Sequence, residues 1–192
     1  MTLRIIAGKH RGRKIFMKEG KDIRPTGSRA REGIFNILLH GRFAGLDNSP
    51  IVDKKVVDLF CGSGALGLEA LSRGAAHVTF VDQSGESIAL VKHNVEHFGE
   101  MGNAKFVRSD SANLPPSTHK FTLAFMDPPY KSALAIKALE SLHKNKWLEP
   151  DAVVVVEVSK TEEILPPSMY DVFDMRDYGN NRIYFLNYSP DK

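Results

Sequence analysis

The stretch Asp58-Leu59-Phe60-Cys61-Gly62-Ser63-Gly64-Ala65-Leu66-Gly67 decides the fold of this 192-residue chain. It begins within a short apolar run, Val56–Phe60, and its last six residues fit the pattern G-x-G-x-x-G ahead of a small-residue segment that reaches Arg73. Glycines at these positions allow a tight turn and let a nucleotide approach the backbone closely. The stretch therefore predicts a strand, a nucleotide-binding loop and a helix, with a glycine turn that binds no ligand as the alternative.

The chain after this loop continues to alternate between short apolar runs and longer amphipathic segments. Strands are predicted at Val78–Val81, Ala104–Arg108, Phe121–Met126, Ala152–Val158, Tyr170–Tyr178 and Asn181–Tyr188, and helices at Ser84–Phe98 and Ser132–His143. Such an alternation predicts a parallel sheet with helices on both faces, and a turn at Gly179-Asn180 makes the last two strands an antiparallel pair. We predict an α/β fold with a Rossmann-like, seven-stranded, mostly parallel sheet.

The start of the chain has a different pattern. Leu3–Ala7 and Arg13–Met17 alternate apolar and polar residues around Gly8-Lys9-His10-Arg11-Gly12, which predicts a β-hairpin with a basic tip. A helix that begins at Thr26 or Ser28 and runs to about Leu39 is expected to follow. We therefore expect a hairpin extension over residues 1–22 and one main domain over residues 23–192.

Basic residues are concentrated in this first part of the chain, although the net charge is only +3. Residues 1–46 hold 11 Lys/Arg and 3 Asp/Glu, whereas the remainder holds 15 basic and 20 acidic side chains. A basic segment on an acidic body predicts an arm that binds a polyanion, with a solvated basic tail as the alternative. The candidate nucleic-acid contacts are Lys9, His10, Arg11, Arg13, Lys14, Arg29 and Arg31.

Composition narrows the cellular setting. Apolar residues make up 42% of the chain and the mean hydropathy is −0.24, so a globular core is expected. We find no run of about 20 apolar residues that would span a bilayer and no signal-peptide h-region at the start. The single cysteine, Cys61, excludes an internal disulfide. We expect a cytoplasmic protein without a membrane partner.

Three carboxylates near predicted strand ends indicate which nucleotide the loop binds. Asp82 lies twenty residues beyond Gly62, where it can accept both ribose hydroxyls, a feature shared by nicotinamide and S-adenosylmethionine sites. Asp58 can hold an ammonium but would repel a pyrophosphate. Asp110 can accept from an adenine amine, with backbone contacts from Ser111 or Ala112. Each acid alone is more often a turn or cap residue; together with Gly62, Ser63 and Gly64 they favour S-adenosylmethionine.

The second chemical motif is Asp127-Pro128-Pro129-Tyr130, which directly follows the strand Phe121–Met126. Two prolines fix the backbone, so the Asp127 carboxylate and the Pro128 carbonyl can both accept hydrogen bonds from an exocyclic amine. Such acceptors offset the positive charge that develops on the nitrogen, and the Tyr130 ring can stack on the base. The motif predicts methyl transfer to an adenine or a guanine, with a plain Pro-Pro turn as the alternative.

Two other mechanisms are disfavoured. Methylation of a pyrimidine C5 needs a thiolate, and Cys61 lies inside the glycine loop, where packing is the expected role. His93-Asn94-Val95-Glu96-His97 fits the zinc pattern H-x-x-E-H, but no second motif nominates a third ligand. We expect no metal.

The chain resembles the RsmD-type 16S rRNA guanine-N2 methyltransferases over nearly its whole length. The resemblance is carried by Arg4–Arg13, Arg24-Pro25-Thr26, Arg29-Ala30-Arg31-Glu32, Phe35-Asn36-Ile37-Leu38, Asp58–Gly74 and Asp127–Tyr130. It implies a class I S-adenosylmethionine-dependent methyltransferase fold and methylation of the guanine conventionally numbered 966 at N2, in 16S rRNA of the assembling small subunit. It also implies that Asp58, Gly62, Gly64, Asp82 and Asp110 bind the cofactor, and that Arg24, Pro25 and Thr26 line its other side.

The chain departs from the family pattern at two points. Gly27-Ser28 replaces a Thr-Asp pair, which leaves the cap of the following helix open, and Asp82 replaces a common Glu. A DNA adenine-N6 methyltransferase uses the same proline turn but usually needs a target-recognition domain, for which this chain has no room. A non-catalytic RNA-binding assembly factor is the third possibility, and intact Asp58, Asp82 and Asp127 disfavour it. We expect a monomer.

Overall fold

The structure is a computed structural model that describes residues 3–18, 27–40, 43, 49–129 and 132–192. The strands are β1 (Leu3–Arg4), β2 (Lys14–Ile15), β3 (Lys55–Leu59), β4 (His77–Asp82), β5 (Ala104–Arg108), β6 (Phe121–Met126), β7 (Leu148–Ser159), β8 (Tyr170–Tyr178) and β9 (Asn181–Tyr188). The helices are α1 (Ser28–Leu39), α2 (Ala65–Ser72), α3 (Gly85–Phe98) and α4 (Ser132–Lys144). Short 3₁₀ turns lie at Met101–Asn103 and Ser111–Asn113.

Seven of the described strands form one sheet in the order β5-β4-β3-β6-β7-β9-β8. The pairs among β3 to β7 are parallel, and β9 pairs antiparallel with both β7 and β8. The chain runs outward from β3 to β5 and then crosses to β6 on the other side of β3. The predicted α/β fold is confirmed, and a crevice for a ligand is expected where the strand order reverses, between β3 and β6.

Most predicted elements lie within a few residues of the observed ones, and β5, β6, β8 and β9 have the predicted bounds. The strand β7 begins earlier than predicted, at Leu148, because Leu148 pairs with Phe121 ahead of a shift in register. The helix α1 begins at Ser28, with Gly27 at its N-cap and no side-chain cap hydrogen bond. The predicted hairpin strands are too long, since the paired strands cover Leu3–Arg4 and Lys14–Ile15 and are followed by backbone bonds of Ile5 to Gly12 and Arg13.

The hairpin strands end early because the backbone beyond them bonds to α2. The N–H groups of Ile6 and Ala7 donate to the two carboxylate oxygens of Glu69 at 2.8 and 3.0 Å, and Glu69 is fully buried. Gly8 has φ +82°, and a Cβ there would lie 1.8 Å from the Ser72 carbonyl oxygen, so this contact requires glycine. The hairpin is therefore fastened to α2 along residues 6–8.

The core lies on both faces of the sheet. One buried cluster joins Leu3, Ile5 and Ile15 of the hairpin to α1, α2, α3 and one sheet face, while α4 covers the other face. Alternate strand residues face opposite clusters, as Val56 and Val57 do. The hairpin thus contributes to the main core, and the boundary expected at residues 22 and 23 falls outside the described residues.

Candidate active site

The glycine loop, residues 60–64, connects β3 to α2 through left-handed backbone at Phe60, Gly62 and Gly64, with φ of 56°, 51° and 78°. A Cβ at Gly64 would lie 2.4 Å from Val91, and one at Gly67 would lie 2.3 Å from Phe80. Both glycines are therefore required for packing against the sheet and α3. A Cβ at Gly62 would meet nothing nearer than 4.0 Å, so this glycine is required only for its backbone conformation.

Asp58 lies next to the last residue of β3 and is only 3% exposed. Its Oδ2 accepts a hydrogen bond from the Gly67 N–H at 2.9 Å. Burial raises the pKa of Asp58 to about 8; the Gly67 hydrogen bond lowers it and the charge of Asp82 raises it further. A cation placed beside Asp58 would favour the ionised carboxylate, so the site suits a positively charged ligand group.

Asp82 is the last residue of β4 and joins two loops. Its Oδ2 accepts from the Gly62 N–H at 3.0 Å and its Oδ1 accepts from the Ser84 N–H at 2.8 Å. An ionised carboxylate offers about four lone-pair sites, so both oxygens can still accept hydroxyl hydrogens. Asp82 therefore fixes the glycine loop and remains chemically suited to a ribose.

Asp110 follows β5 and caps the 3₁₀ turn that begins at Ser111. Its carboxylate accepts from the Ala112 N–H at 2.9 Å and from the Asn113 side-chain amide at 3.0 Å. Ser111 is buried, and within the described residues its hydroxyl has no hydrogen-bond partner. Turn capping is the role that the structure shows for Asp110, and its contact with adenine stays a prediction.

The parallel strands place these residues along one edge of the sheet. Leu59 pairs with Met126 in register, so Asp127 follows β6 directly beside the start of the glycine loop. Strands lie about 4.8 Å apart, so the edge from Asp110 after β5 to Asp127 after β6 spans roughly 14 Å. An elongated ligand lying along this edge can contact both the glycine loop and the turn at Asp127.

The proline turn begins where the sequence places it. Asp127 is half-buried, Pro128 is buried and Pro129 is exposed, and α4 begins shortly afterwards at Ser132. Tyr130, the fourth predicted catalytic residue, lies outside the described residues, as do Arg24, Pro25 and Thr26 of the predicted cofactor set. The described part of the turn therefore lies beside the glycine loop, at the point where the strand order reverses.

Comparison with known proteins identifies the family. A sequence profile described as Conserved hypothetical protein 95 matches residues 3–187. Ribosomal RNA small subunit methyltransferase D of Haemophilus influenzae is 33% identical, over 92% of this chain and 89% of its own length. The protein of the same name from Escherichia coli K12 is 36% identical, over 85% and 78%. The chain belongs to the ribosomal RNA small subunit methyltransferase D family.

A solved structure agrees with this assignment. The structure described as putative methyltransferase yhhF from Escherichia coli superposes with a TM-score of 0.81 and 29% identity, and covers 99% of both chains. The family resemblance seen in the sequence is thereby confirmed, as is the class I methyltransferase fold.

Cys61 is unsuited to nucleophilic chemistry in this methyltransferase. Its thiol is buried, and burial raises its pKa well above the usual value, with Asp58 and Asp82 raising it further. The thiolate, which is the reactive form, is therefore disfavoured.

Asn94 of α3 is a residue that the sequence alone does not single out. It is fully buried; its Oδ1 accepts from the Phe16 N–H at 2.8 Å, and its Nδ2 donates to the carbonyl oxygens of Phe16 and Ser63, both at 2.9 Å. Asn94 therefore links the N-terminal segment, residues 3–18, to the glycine loop.

A cavity of about 160 Å³ lies next to this link. It is lined by residues of the N-terminal segment, of the glycine loop and of α3, namely Met17, Lys18, Gly62, Ser63, Glu86, Ser87 and Leu90.

Most residues predicted to bind RNA lie on or near the surface. Lys9 and His10 both contact Glu100, and Arg13 donates to the carbonyl oxygens of Phe98 and His97 at the end of α3. Three further members of the predicted set are exposed: Arg11, Lys14 and Arg29.

Arg31 corrects the prediction. It is 0% exposed and donates through Nη2 to the Arg4 carbonyl oxygen at 2.8 Å. Burial lowers its pKa, with the charges of Glu69 and Arg73 acting in opposite directions. The residue lies beneath the hairpin and has no surface for RNA, because α1 packs Arg31 inward together with Ile34 and Phe35.

In the parts of the chain that the structure describes, no three His, Cys, Asp or Glu side chains come together as a metal site, and no helix is long and apolar enough to cross a membrane. The rings of His93 and His97 instead each lie about 5 Å from the ring of Phe16.

Proposed function

We propose that this protein transfers a methyl group from S-adenosylmethionine to the exocyclic N2 of a guanine in 16S rRNA, at the position conventionally numbered 966, during assembly of the small subunit. One observation carries the proposal: the Asp127-Pro128-Pro129 turn lies in register beside a glycine loop whose buried Asp58 favours a cation. The names of the similar proteins support an rRNA substrate. The choice of guanine N2 and of the position rests on the family resemblance.

The residues present fit S-adenosylmethionine, which supplies an electrophilic methyl group when bound. We assign Asp58 to the methionine ammonium, because its carboxyl is buried and its pKa of about 8 falls when a cation arrives. Asp82 would accept the ribose hydroxyls. The backbone of Gly62, Ser63 and Gly64 would face the ligand, with Asp110 and Ser111 at the adenine. We assign Arg24, Pro25 and Thr26, which lie outside the described residues, to its other side.

The acceptor base is assigned to the proline turn. The Asp127 carboxylate and the Pro128 carbonyl would accept hydrogen bonds from the guanine amine, whose lone pair is otherwise delocalised into the ring. As the nitrogen takes the methyl group and gains positive charge, the nearby carboxylate stabilises that charge until one amine hydrogen leaves as a proton. The prolines Pro128 and Pro129 hold both acceptors in place. Tyr130, outside the described residues, is assigned to stacking on the base, a contact worth roughly 1–3 kcal/mol.

The rRNA is assigned to the basic N-terminal segment and the start of α1. The exposed side chains of Arg11, Lys14 and Arg29 are available to phosphates. Lys9, His10 and Arg13 also hold the hairpin against α3, so their replacement would disturb the hairpin as well as the RNA contact. Charge contacts of this kind strengthen binding to any RNA and do not select the base.

Methyl transfer from labelled S-adenosylmethionine tests the proposal. The wild-type protein is offered naked 16S RNA, small subunits and duplex DNA, and the labelled nucleoside is identified after digestion. We expect N2-methylguanosine from at least one of the two rRNA substrates and no label in DNA. Methyladenine in DNA would support the adenine-N6 alternative, and no transfer to any substrate would overturn the proposal.

A further inference from the structure

The two histidines of the H-x-x-E-H pattern form a surface feature with no role in the site described above. His93 and His97 are exposed on consecutive turns of α3. The Phe16 ring lies against both, with centroid distances of 5.0 Å to His93 and 5.1 Å to His97. The outcome is a row of three aromatic rings, with Phe16 supporting two exposed imidazoles. We call these three residues, together with Lys14 and Lys92, the α3 face.

This face is fixed relative to the glycine loop. Asn94, which lies between the two histidines in sequence, points inward and bonds both to the backbone of Phe16 and to the Ser63 carbonyl. The aromatic row and the loop are thus held by one buried side chain. A ligand lying on the α3 face would therefore be held in a fixed position relative to the glycine loop.

The N-terminal segment, residues 3–18, runs along the α3 face. Arg13 contacts Phe98 at the end of α3, Phe16 bonds to Asn94, and Lys18 pairs with Glu86 in the first turn. The segment therefore runs along α3 in the opposite direction and ends at the cavity beside Gly62 and Ser63. With a rise of about 1.5 Å per residue, the path from Ser87 to His97 is roughly 15 Å long.

The charges of the α3 face suit a phosphate backbone. Lys14 and Lys92 are exposed, and the Lys14 ammonium lies 5.7 Å from the centre of the Phe16 ring. Two of the three acidic side chains nearby are already paired with basic ones: Glu86 with Lys18, and the buried Glu100 with Lys9 and His10. The third, Glu96, is exposed. Aromatic rings interleaved with cations are typical of surfaces that bind single-stranded nucleic acid.

We propose that the α3 face binds an unpaired segment of the rRNA substrate several nucleotides away from the target guanine. Bases stack on the rings of His93 and His97, and phosphates contact Lys14 and Lys92. Sequence-specific RNA enzymes act mostly on unpaired nucleotides, whose bases are free to stack on aromatic side chains. This inference rests on the proposed function, because it assigns a further part of the same substrate.

Binding of an RNA fragment that the wild-type protein methylates tests the inference. The double variant His93→Ala/His97→Ala should bind it roughly tenfold or more weakly. The double variant His93→Phe/His97→Phe keeps two stacking rings and should bind within about threefold of wild type. His119→Ala is the matched control, because His119 is exposed in the loop before β6 and is not part of the row of rings that Phe16 forms with His93 and His97. It should bind as wild type does.

The salt dependence of RNA binding distinguishes the contribution of the lysines from that of the aromatic rings. Lys14→Ala/Lys92→Ala should reduce the slope of log K against log salt by about 1.4, since each contact with a single-stranded phosphate contributes about 0.7. The alanine double variant of the histidines should leave the slope unchanged. In every variant, an unchanged affinity for S-adenosylmethionine would show that the fold is intact.

The outcomes distinguish the two proposals. If wild type methylates rRNA and the histidine-to-alanine variant binds RNA as tightly as wild type, the α3 face is not the RNA surface, while the proposed function stands. Equal losses in the alanine and phenylalanine variants would also overturn the stacking role. If wild type methylates no rRNA, the proposed function itself fails.

Discussion

The glycine loop and the N-terminal segment are both held by buried polar side chains, but their charges are balanced differently. Against the segment, the Glu69 carboxylate of α2 accepts from the Ile6 and Ala7 N–H groups and from Arg73 at 2.8 Å. At the loop, Asp58 is buried near the like charge of Asp82, and its pKa is raised to about 8. A buried carboxylate whose cation is already present fastens the structure, whereas one without a cation indicates where a ligand binds.

Replacing Glu69, the carboxylate whose charge is balanced, should have the largest effect, and this effect is on the free energy of unfolding. Glu69→Ala leaves the Ile6 and Ala7 N–H groups and the Arg73 guanidinium without their partner, and we expect a loss of about 3–5 kcal/mol in the free energy of unfolding. Urea denaturation measures it. Glu140→Ala, on the exposed side of α4, should change the free energy by less than about 0.5 kcal/mol. A loss below about 1 kcal/mol for Glu69→Ala would show that Glu69 does not fasten the hairpin.

Neutralising Asp58 should act in the opposite direction on stability. The folded pKa of Asp58 is raised to about 8 from an ordinary value near 4, so the ligand-free protein loses stability as pH rises between these values. Asp58→Asn removes this loss, so at pH 8 the ligand-free variant should unfold at higher urea concentration than wild type. Its affinity for S-adenosylmethionine should fall roughly 10- to 100-fold, because a charge-assisted hydrogen bond is lost.

Calorimetry at pH 7 in two buffers of different ionisation enthalpy tests the same assignment. When a cation binds beside Asp58, its carboxyl ionises and releases a proton, so wild type should release more protons than Asp58→Asn on binding S-adenosylmethionine. The variant is the control for titration of the ligand's own amine. Equal proton release by the two proteins would contradict the assignment of Asp58 to the ammonium.

Replacing Asn94, which links the two regions, should give the smallest effect, a modest loss of cofactor affinity. Asn94→Ala removes hydrogen bonds to both Phe16 and Ser63, and the loosened loop should bind S-adenosylmethionine about tenfold more weakly, or roughly 1.4 kcal/mol. Asn36→Ala, exposed on α1, is the matched control and should leave the affinity unchanged. If Asn94→Ala binds the cofactor as wild type does, the two regions are not coupled through this side chain.

The same comparison explains which features could be predicted from the sequence. The glycine loop, the proline turn and the bounds of β5 and β6 follow from local signals, namely the spacing of glycines and prolines and the length of apolar runs. The seven-stranded, mostly parallel sheet follows from the alternation of strands and helices together with the antiparallel end, whereas the order of its strands is seen only in the structure.

The docking of the N-terminal segment could not be predicted in this way. Its contacts join residues more than 60 positions apart, as in the bonds from Ile6 to Glu69 and from Phe16 to Asn94. Charge alone does not distinguish Arg31, which is buried, from Arg29, which is exposed; the signal is helical spacing, since Arg31 lies one turn before Ile34 and Phe35 on the buried side of α1. Because the partners of Asn94 are likewise distant in sequence, the pattern around it indicated a zinc motif and gave no sign of a link to the glycine loop.

Asp58 is assigned to the cofactor and Asp127 to the acceptor amine, and a single-turnover assay of Asp127→Asn tests this division of roles. With saturating S-adenosylmethionine and rRNA, the variant should transfer the methyl group roughly 10²–10³ times more slowly than wild type, because the charge developing on the amine is no longer stabilised. Its affinity for S-adenosylmethionine, measured on the same preparation, should equal that of wild type. A wild-type rate, or a loss of cofactor affinity as large as the loss of rate, would contradict the account.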